Sequence, residues 1–186
     1  MNLRHTARLA GLALIVPYAI VRLGRVDYWD ILDDVDLAVH EAGHLVFAPL
    51  GDHMSFLGGS LLQVLVPLAF VLYFWRSRQA FAGGITLAWV GVNLVNVSRY
   101  IGDARAQDLP LLGGENAIHD WWYLLTEWDL LPRDHDIARA VHLLGACAFA
   151  SAVIVAWFAE RGDERERAVA AAAPSRESLP VPLPRR

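Results

Sequence analysis

Leu37-Ala38-Val39-His40-Glu41-Ala42-Gly43-His44-Leu45-Val46-Phe47-Ala48-Pro49-Leu50 is the stretch that decides how this chain is built. It is apolar apart from two histidines and a glutamate, and it falls short of the about 20 residues that a helix needs to cross a hydrocarbon core. Residues four apart share a helix face, so His40 and His44 can present two imidazoles to one metal ion. Glu41 sits at the edge of the same site, where it can take a proton from an attacking water. Such groups are costly to leave unpaired in lipid. A blander reading keeps both histidines as core residues bonded to backbone carbonyls.

Around this stretch lie four more apolar segments, at about Ala7–Leu23, Phe56–Trp75, Ala80–Tyr100 and Ile137–Phe158. The last three are long enough to span a membrane. The first is flanked by Arg4, Arg8, Arg22 and Arg25, and is too long and too basic at its far end for a cleaved signal peptide. With 55% hydrophobic residues, the chain is expected to be an all-α, polytopic helical membrane protein of four to five hydrophobic segments. In that architecture the HExxH segment is short or re-entrant. Residues 1–160 read as one membrane-embedded domain. Residues 161–186, a charge run followed by alanines and a Pro-rich end, read as a solvated, disordered tail.

The net charge of −4 leaves no basic stripe for phosphates and argues against nucleic acid as a partner; the expected partner is the lipid bilayer. A single cysteine, Cys147, permits no intramolecular disulfide and reads as a small buried apolar side chain. The connections 26–36 and 102–136 are acidic, whereas the Arg76–Arg78 link and the extreme C-terminus are basic. Positive-inside sorting places the basic parts in the cytoplasm. Five full crossings would split the two acidic connections across the membrane. Four crossings keep them together, if the motif segment enters from the outer side and turns back through Pro49-Leu50-Gly51-Asp52-His53. Re-entrant backbone is tolerated where protein or a water-filled cavity shields it. The expected location is a bacterial inner (plasma) membrane, with the metal site opening to the extracytoplasmic side.

A catalytic zinc takes three protein ligands and keeps one position open. The position six residues beyond His44 is Leu50, which excludes the metzincin arrangement, and His53 lies across a Pro-Gly turn. Asn93 and Asn96 interrupt the apolar segment that ends near Asp103. They are candidates to hold a peptide backbone or to bond a neighbouring helix. Gln63, beside Pro67, is a further candidate for the cavity wall.

From HEAGH to the run Asn96–Asp103 the chain resembles the site-2 protease group of intramembrane zinc metalloproteases. In that family an HExxH helix precedes a later helix bearing an Asn and a ligating Asp. The resemblance implies a zinc-dependent endopeptidase that cuts membrane-associated peptide or protein substrates, with Asp103 as third ligand. This chain lacks the family's prolines, and Gly102 precedes Asp103 instead of following an aspartate.

A competing third ligand is His119, in Leu111-Leu112-Gly113-Gly114-Glu115-Asn116-Ala117-Ile118-His119-Asp120-Trp121-Trp122. His119 and Asp103 rank level and Glu115 below both, while Asp120 is expected in a supporting role or as a further ligand. His135 and His142 read as solvated or capping side chains, and the Gly58-Gly59 and Gly83-Gly84 pairs as close helix contacts. In the expected chemistry, Zn2+ activates a water, Glu41 moves its proton to the leaving amine, and the metal or an Asn steadies the oxyanion. Two other readings use the same residues: a non-catalytic membrane metal-binding protein with a closed site, and a metal-dependent hydrolase of a lipid or small molecule.

Overall fold

The motif helix stops at a 3-10 turn, Ala48–Leu50, and the chain then reverses at Gly51, whose φ of 97° is one that a residue with a Cβ rarely adopts. The structure is a computed structural model and describes residues 3–25, 28–112 and 117–172. Among these the regular structure is entirely helical: α1 (Leu3–Gly24), α2 (Ile31–Phe47), α3 (Asp52–Arg76), α4 (Ala80–Gly102), α5 (Asp120–Glu127) and α6 (Asp134–Ala172). Four stretches are long and apolar enough to cross a membrane: His5–Gly24, Asp52–Arg76, Ala80–Gly102 and Leu131–Val169, of mean hydropathy 1.5 to 2.0. The chain is thus a polytopic helical membrane protein. Its HExxH helix, α2, is 17 residues long and is not among the four.

Small residues let the long helices approach closely, which in lipid substitutes for a hydrophobic driving force. Gly84 lies on Ala156, Gly91 on Phe149 and Gly145 on Val95, making one continuous α4–α6 seam. On this seam α1 lays Ile15 and Ala19, against Ala88, Val92 and Ala152. The α2–α3 pair is an antiparallel hairpin whose crossing point is Gly43 on Gly58. Short α5 docks on α3 through the Trp121 indole N–H, which donates to Ser60 Oγ at 3.0 Å.

Contacts along the bundle assign each connection to an end. At one end His5 and Arg8 hold Glu160 at 2.7 and 2.9 Å, beside the Arg76–Arg78 turn that joins α3 to α4. At the other end Arg22 meets Asp33 and Arg105 meets Asp134. The described parts of both acidic connections therefore share one end, and Arg76, Arg78 and Arg161 lie at the opposite end, as four crossings require. One boundary moves. The expected disordered tail begins at 161, but α6 continues to Ala172, supported by ion pairs from Arg8 and Arg167 to Asp163 and Glu160. Residues 173–186 lie outside the described part. Cys147 is exposed on α6 and is not the buried side chain expected.

Candidate metal centre

The phase of α2 is set at its start. Asp30 caps the helix by accepting from Leu32 N at 2.9 Å, and Asp33 completes a capping box by accepting from Asp30 N at 2.8 Å. From that start Asp33, Asp36, His40 and Gly43 form the buried face, each three or four residues from the last. Asp33 and Asp36 are 1% exposed, whereas Ile31 and Leu45 on the outer faces are 77% and 79% exposed. A helix with carboxylates inside and aliphatic side chains outside is turned inside-out relative to a water-soluble one. It suits an apolar surrounding.

Each buried polar side chain on this face has at least one partner, although Asp36 Oδ2 has none. Arg22 grips Asp33 with two bonds, 2.6 and 2.7 Å, and Asn96 Nδ2 adds a third at 2.9 Å. The Trp89 indole donates to Asp36 Oδ1 at 2.8 Å. Burial nevertheless pushes the Asp36 carboxyl up to about 6.

One turn further on, the two histidines are held from outside. His40 Nδ1 donates to Gln63 Oε1 at 3.0 Å, and His44 Nδ1 donates to the Ser55 carbonyl at 2.8 Å. Gly59 makes room for the first ring, since a Cβ there would meet His40 Nε2. With both Nδ1 atoms occupied, both Nε2 atoms are free to act as ligands. They converge on Asp120 Oδ2, at 3.0 Å from His40 and 3.3 Å from His44. The three ligand atoms all lie within 4.8 Å of one another, close enough to share one metal ion. They are the one group of three or more metal-ligating side chains that comes together among the described residues.

Asp120 is delivered by the way α5 begins. His119 is the N-cap, its Nδ1 accepting from Trp122 N at 3.2 Å, and Asp120 follows as the first helical residue. The Tyr100 hydroxyl accepts from Asp120 N at 3.1 Å and fixes its backbone. Burial by itself would raise the Asp120 carboxyl, but hydrogen bonds from His40 and His44 outweigh it and hold the group below its ordinary range. The same bond to Asp120 lifts His44 to about 8 in the metal-free protein, against the opposing effect of burial.

Of the candidates for a third ligand, this geometry brings only Asp120 to the two imidazoles among the described residues. His119 and Asp103 do not reach the cluster; they bond each other, His119 Nε2 to Asp103 Oδ2 at 3.3 Å. Both ring nitrogens of His119 are thereby used, one on the helix cap and one on Asp103. Asp103 also accepts from Asp108 N and Leu109 N at 3.0 and 3.1 Å, which folds the chain back after α4. Asp120, expected in a supporting role or as a further ligand, is the carboxylate brought to the two imidazoles, and the pair expected to compete for the third position is joined to itself. Glu115 lies outside the described residues.

Gln63 is at the site, as expected. Asn93 is not: its Nδ2 donates back to the Trp89 carbonyl at 3.0 Å. Asn96 is committed to Asp33, yet it lines a cavity together with His40, Glu41 and Gln63. Glu41 is exposed to that cavity and to a second one, which opens beside His44 and Asp120. His53 faces Glu127 at 3.7 Å, away from the cluster, and His142 lies beside Ser98. Ser55, Tyr100 and Arg22 were not singled out from the sequence. Only Arg22 left a signal there, as a cation beside a run of aspartates.

No protein-family model matches the chain, and neither the curated proteins nor the solved structures provide a match.

Proposed function

We propose that this protein is a membrane-embedded, zinc-dependent endopeptidase acting on membrane-associated peptide segments. One observation carries the reading: the two HExxH imidazoles, each held by its outer nitrogen, converge on a buried carboxylate beside a cavity that also exposes Glu41. His40, His44 and Asp120 would hold the ion, a two-histidine, one-carboxylate donor set typical of hydrolytic zinc with an open position. Zinc there supplies Lewis acidity toward an attacking water and a scissile carbonyl. Three protein ligands favour an open site over the closed, non-catalytic alternative, because Asp103 and His119 are engaged with each other.

The remaining work falls to the chain's own residues. Glu41 takes the proton of the attacking water and returns it to the leaving amine. The Tyr100 hydroxyl, against Asp120 N, keeps the Asp120 carboxylate aimed inward. Ser55 and Gln63 hold the imidazoles in the tautomer with Nε2 free. A substrate helix must unwind to reach the cavity, since its carbonyls are otherwise tied into the helical ladder. The reading includes the orientation argued from charge: basic end in the cytoplasm, metal site toward the extracytoplasmic side of a bacterial inner membrane.

The test is Glu41→Gln in full-length protein purified in detergent. The variant should keep its zinc and its thermal stability and lose all cleavage of an apolar, internally quenched peptide. Cleavage at the wild-type rate by the pure variant would refute the role of Glu41. A reporter fused after Arg186 that proved extracytoplasmic would reverse the orientation.

A further inference from the structure

The cavity on the α2–α4 side of the cluster has a volume of about 360 Å³. Its walls are mostly apolar, from Trp29, Leu37 and the segment Leu109–Leu112, and its inner end reaches His40 and Glu41. One wall carries a cation. Arg99 lies one turn along α4 from Asn96 and next to Tyr100, whose ring stands 5.7 Å from that of His40.

Arg99 is half-buried, and its guanidinium forms no hydrogen bond or ion pair with any described residue. Arg25 and Arg133 at this end also lack an ion pair with any described residue, but both are exposed. Arg22, Arg105 and Arg139 there are paired with Asp33, Asp134 and Asp136. Glu41 shares the cavity with Arg99 but makes no ion pair with it. On its other side Arg99 lines a shallow groove that also holds Asp103, His135 and Arg139, and Asp103 is engaged with His119 and the backbone of Asp108 and Leu109. A half-buried guanidinium on an apolar wall, with carboxylates nearby and none bound, is complementary to an anion brought in by the ligand.

We propose that Arg99 is a specificity-determining residue that selects substrates with a carboxylate side chain close to the bond to be cut. An extended peptide advances about 3.3 Å per residue, so an Asp or Glu one to three residues from the scissile bond would come within reach of Arg99. The flanking residues would occupy the apolar walls. Gln63, on the same cavity, has its oxygen on His40 and offers its amide nitrogen to the peptide backbone. This inference rests on the peptidase reading for the identity of the substrate, but not for the anion site itself.

The experiment uses zinc-loaded full-length protein in nanodiscs. The probes are internally quenched peptides of Leu and Ala carrying one Glu, Gln or Arg at each of the three positions on either side of the cut. For at least one position the Glu peptide should exceed its Gln counterpart about tenfold in kcat/KM, as expected for one charge-assisted contact. Arg99→Gln should bring that ratio close to one, Arg99→Lys should keep part of it, and Arg99→Glu should favour the Arg peptide. Equal rates for the Glu and Gln peptides in the wild type would overturn the inference. So would an Arg99→Gln variant in which both rates fall together at a constant ratio, because Arg99 would then act only on the structure.

Binding of the same peptides to Glu41→Gln protein separates the two hypotheses. If nothing is cut but the Glu peptide binds in an Arg99-dependent way, the peptidase reading fails and the anion site stands. If peptides are cut without charge preference, the reverse holds. Arg99-dependent displacement of the Glu peptide by phosphatidylglycerol, with no Glu preference in cleavage, would assign the site to a lipid headgroup and overturn the peptide proposal.

Discussion

His44 and Ser55 grip each other twice: the imidazole Nδ1 donates to the Ser55 carbonyl at 2.8 Å, and the Ser55 hydroxyl donates back to the His44 carbonyl at 3.3 Å. The bond that orients the imidazole thus belongs to the main chain of α3, and no side-chain change at 55 removes it. The ring is aimed by how closely α2 and α3 approach, and that approach is set by Gly43 and Gly58.

A methyl group at Gly43 or Gly58 would overlap the other glycine's backbone, so either Ala variant must push the hairpin apart. The expected cost is about 1–3 kcal/mol from overpacking, read as a lower unfolding temperature. Zinc affinity should fall about 10–100-fold, since displaced outer partners weaken a metal site by that much. Ser55→Ala should keep its zinc. Gly11→Ala, which meets nothing within 4 Å, is the control and should unfold no earlier than the wild type.

Metal content of purified variants separates ligands from supports. His40→Ala, His44→Ala and Asp120→Ala should each lose tight zinc binding. Asp103→Ala and His119→Ala should retain zinc with affinity lowered about 10–100-fold, because they act on Asp120 through the α5 cap and the α4–α5 connection. Complete loss in the second pair with retention in Asp120→Ala would restore the arrangement expected from the sequence.

The Asp36 carboxyl, raised by burial to about 6, gives a pH signature. A raised carboxyl means that the folded protein binds the proton more tightly than the unfolded chain does. Its contribution to stability is full below the ordinary carboxyl range and is lost as pH rises through about 6. Asp36→Asn should therefore stabilise the protein at pH 7 by roughly 1–3 kcal/mol and have little effect near pH 4. Thermal unfolding at the two pH values checks the difference.

The Arg22–Asp33 pair, 3% and 1% exposed, predicts an asymmetry between single and double variants. Arg22→Met leaves a buried carboxylate uncompensated and should cost about 3–5 kcal/mol. Replacing both residues with apolar ones should recover much of that loss. Denaturant unfolding in mixed micelles measures both.

Much of the fold was legible because apolar length and the distribution of arginine are one-dimensional properties. The four spanning helices, the shortness of the HExxH helix and the sharing of one end by the acidic connections all follow from them. The two imidazoles of the cluster were legible for the same reason, since four-residue spacing fixes a helix face. Its carboxylate was not. Asp120 lies 80 residues from His40 along the chain, and the choice between adjacent His119 and Asp120 depends on which of them caps α5. Moving the cap by one residue would rotate the following side chains by about 100°. Asn96 was legible in part. An amide in an apolar helix signals a partner, either a substrate backbone or a neighbouring helix, and its amide nitrogen bonds Asp33 on α2.

Asp33, Asp36 and His40 also bear on the order in which the protein can assemble. With Ile31 and Leu45 exposed and carboxylates facing inward, α2 has no satisfactory resting place alone, in water or in lipid. Arg22 on α1 comes before it and takes Asp33, but the groups that receive Asp36 and the histidines, on α3, α4 and α5, all come later in the chain. Synthesis therefore presents the histidines to the membrane before anything exists to receive them. The centre must be among the last parts of the molecule to form, laid in sideways after its neighbours have crossed. Until α5 has been made, the two imidazoles have no carboxylate on which to converge.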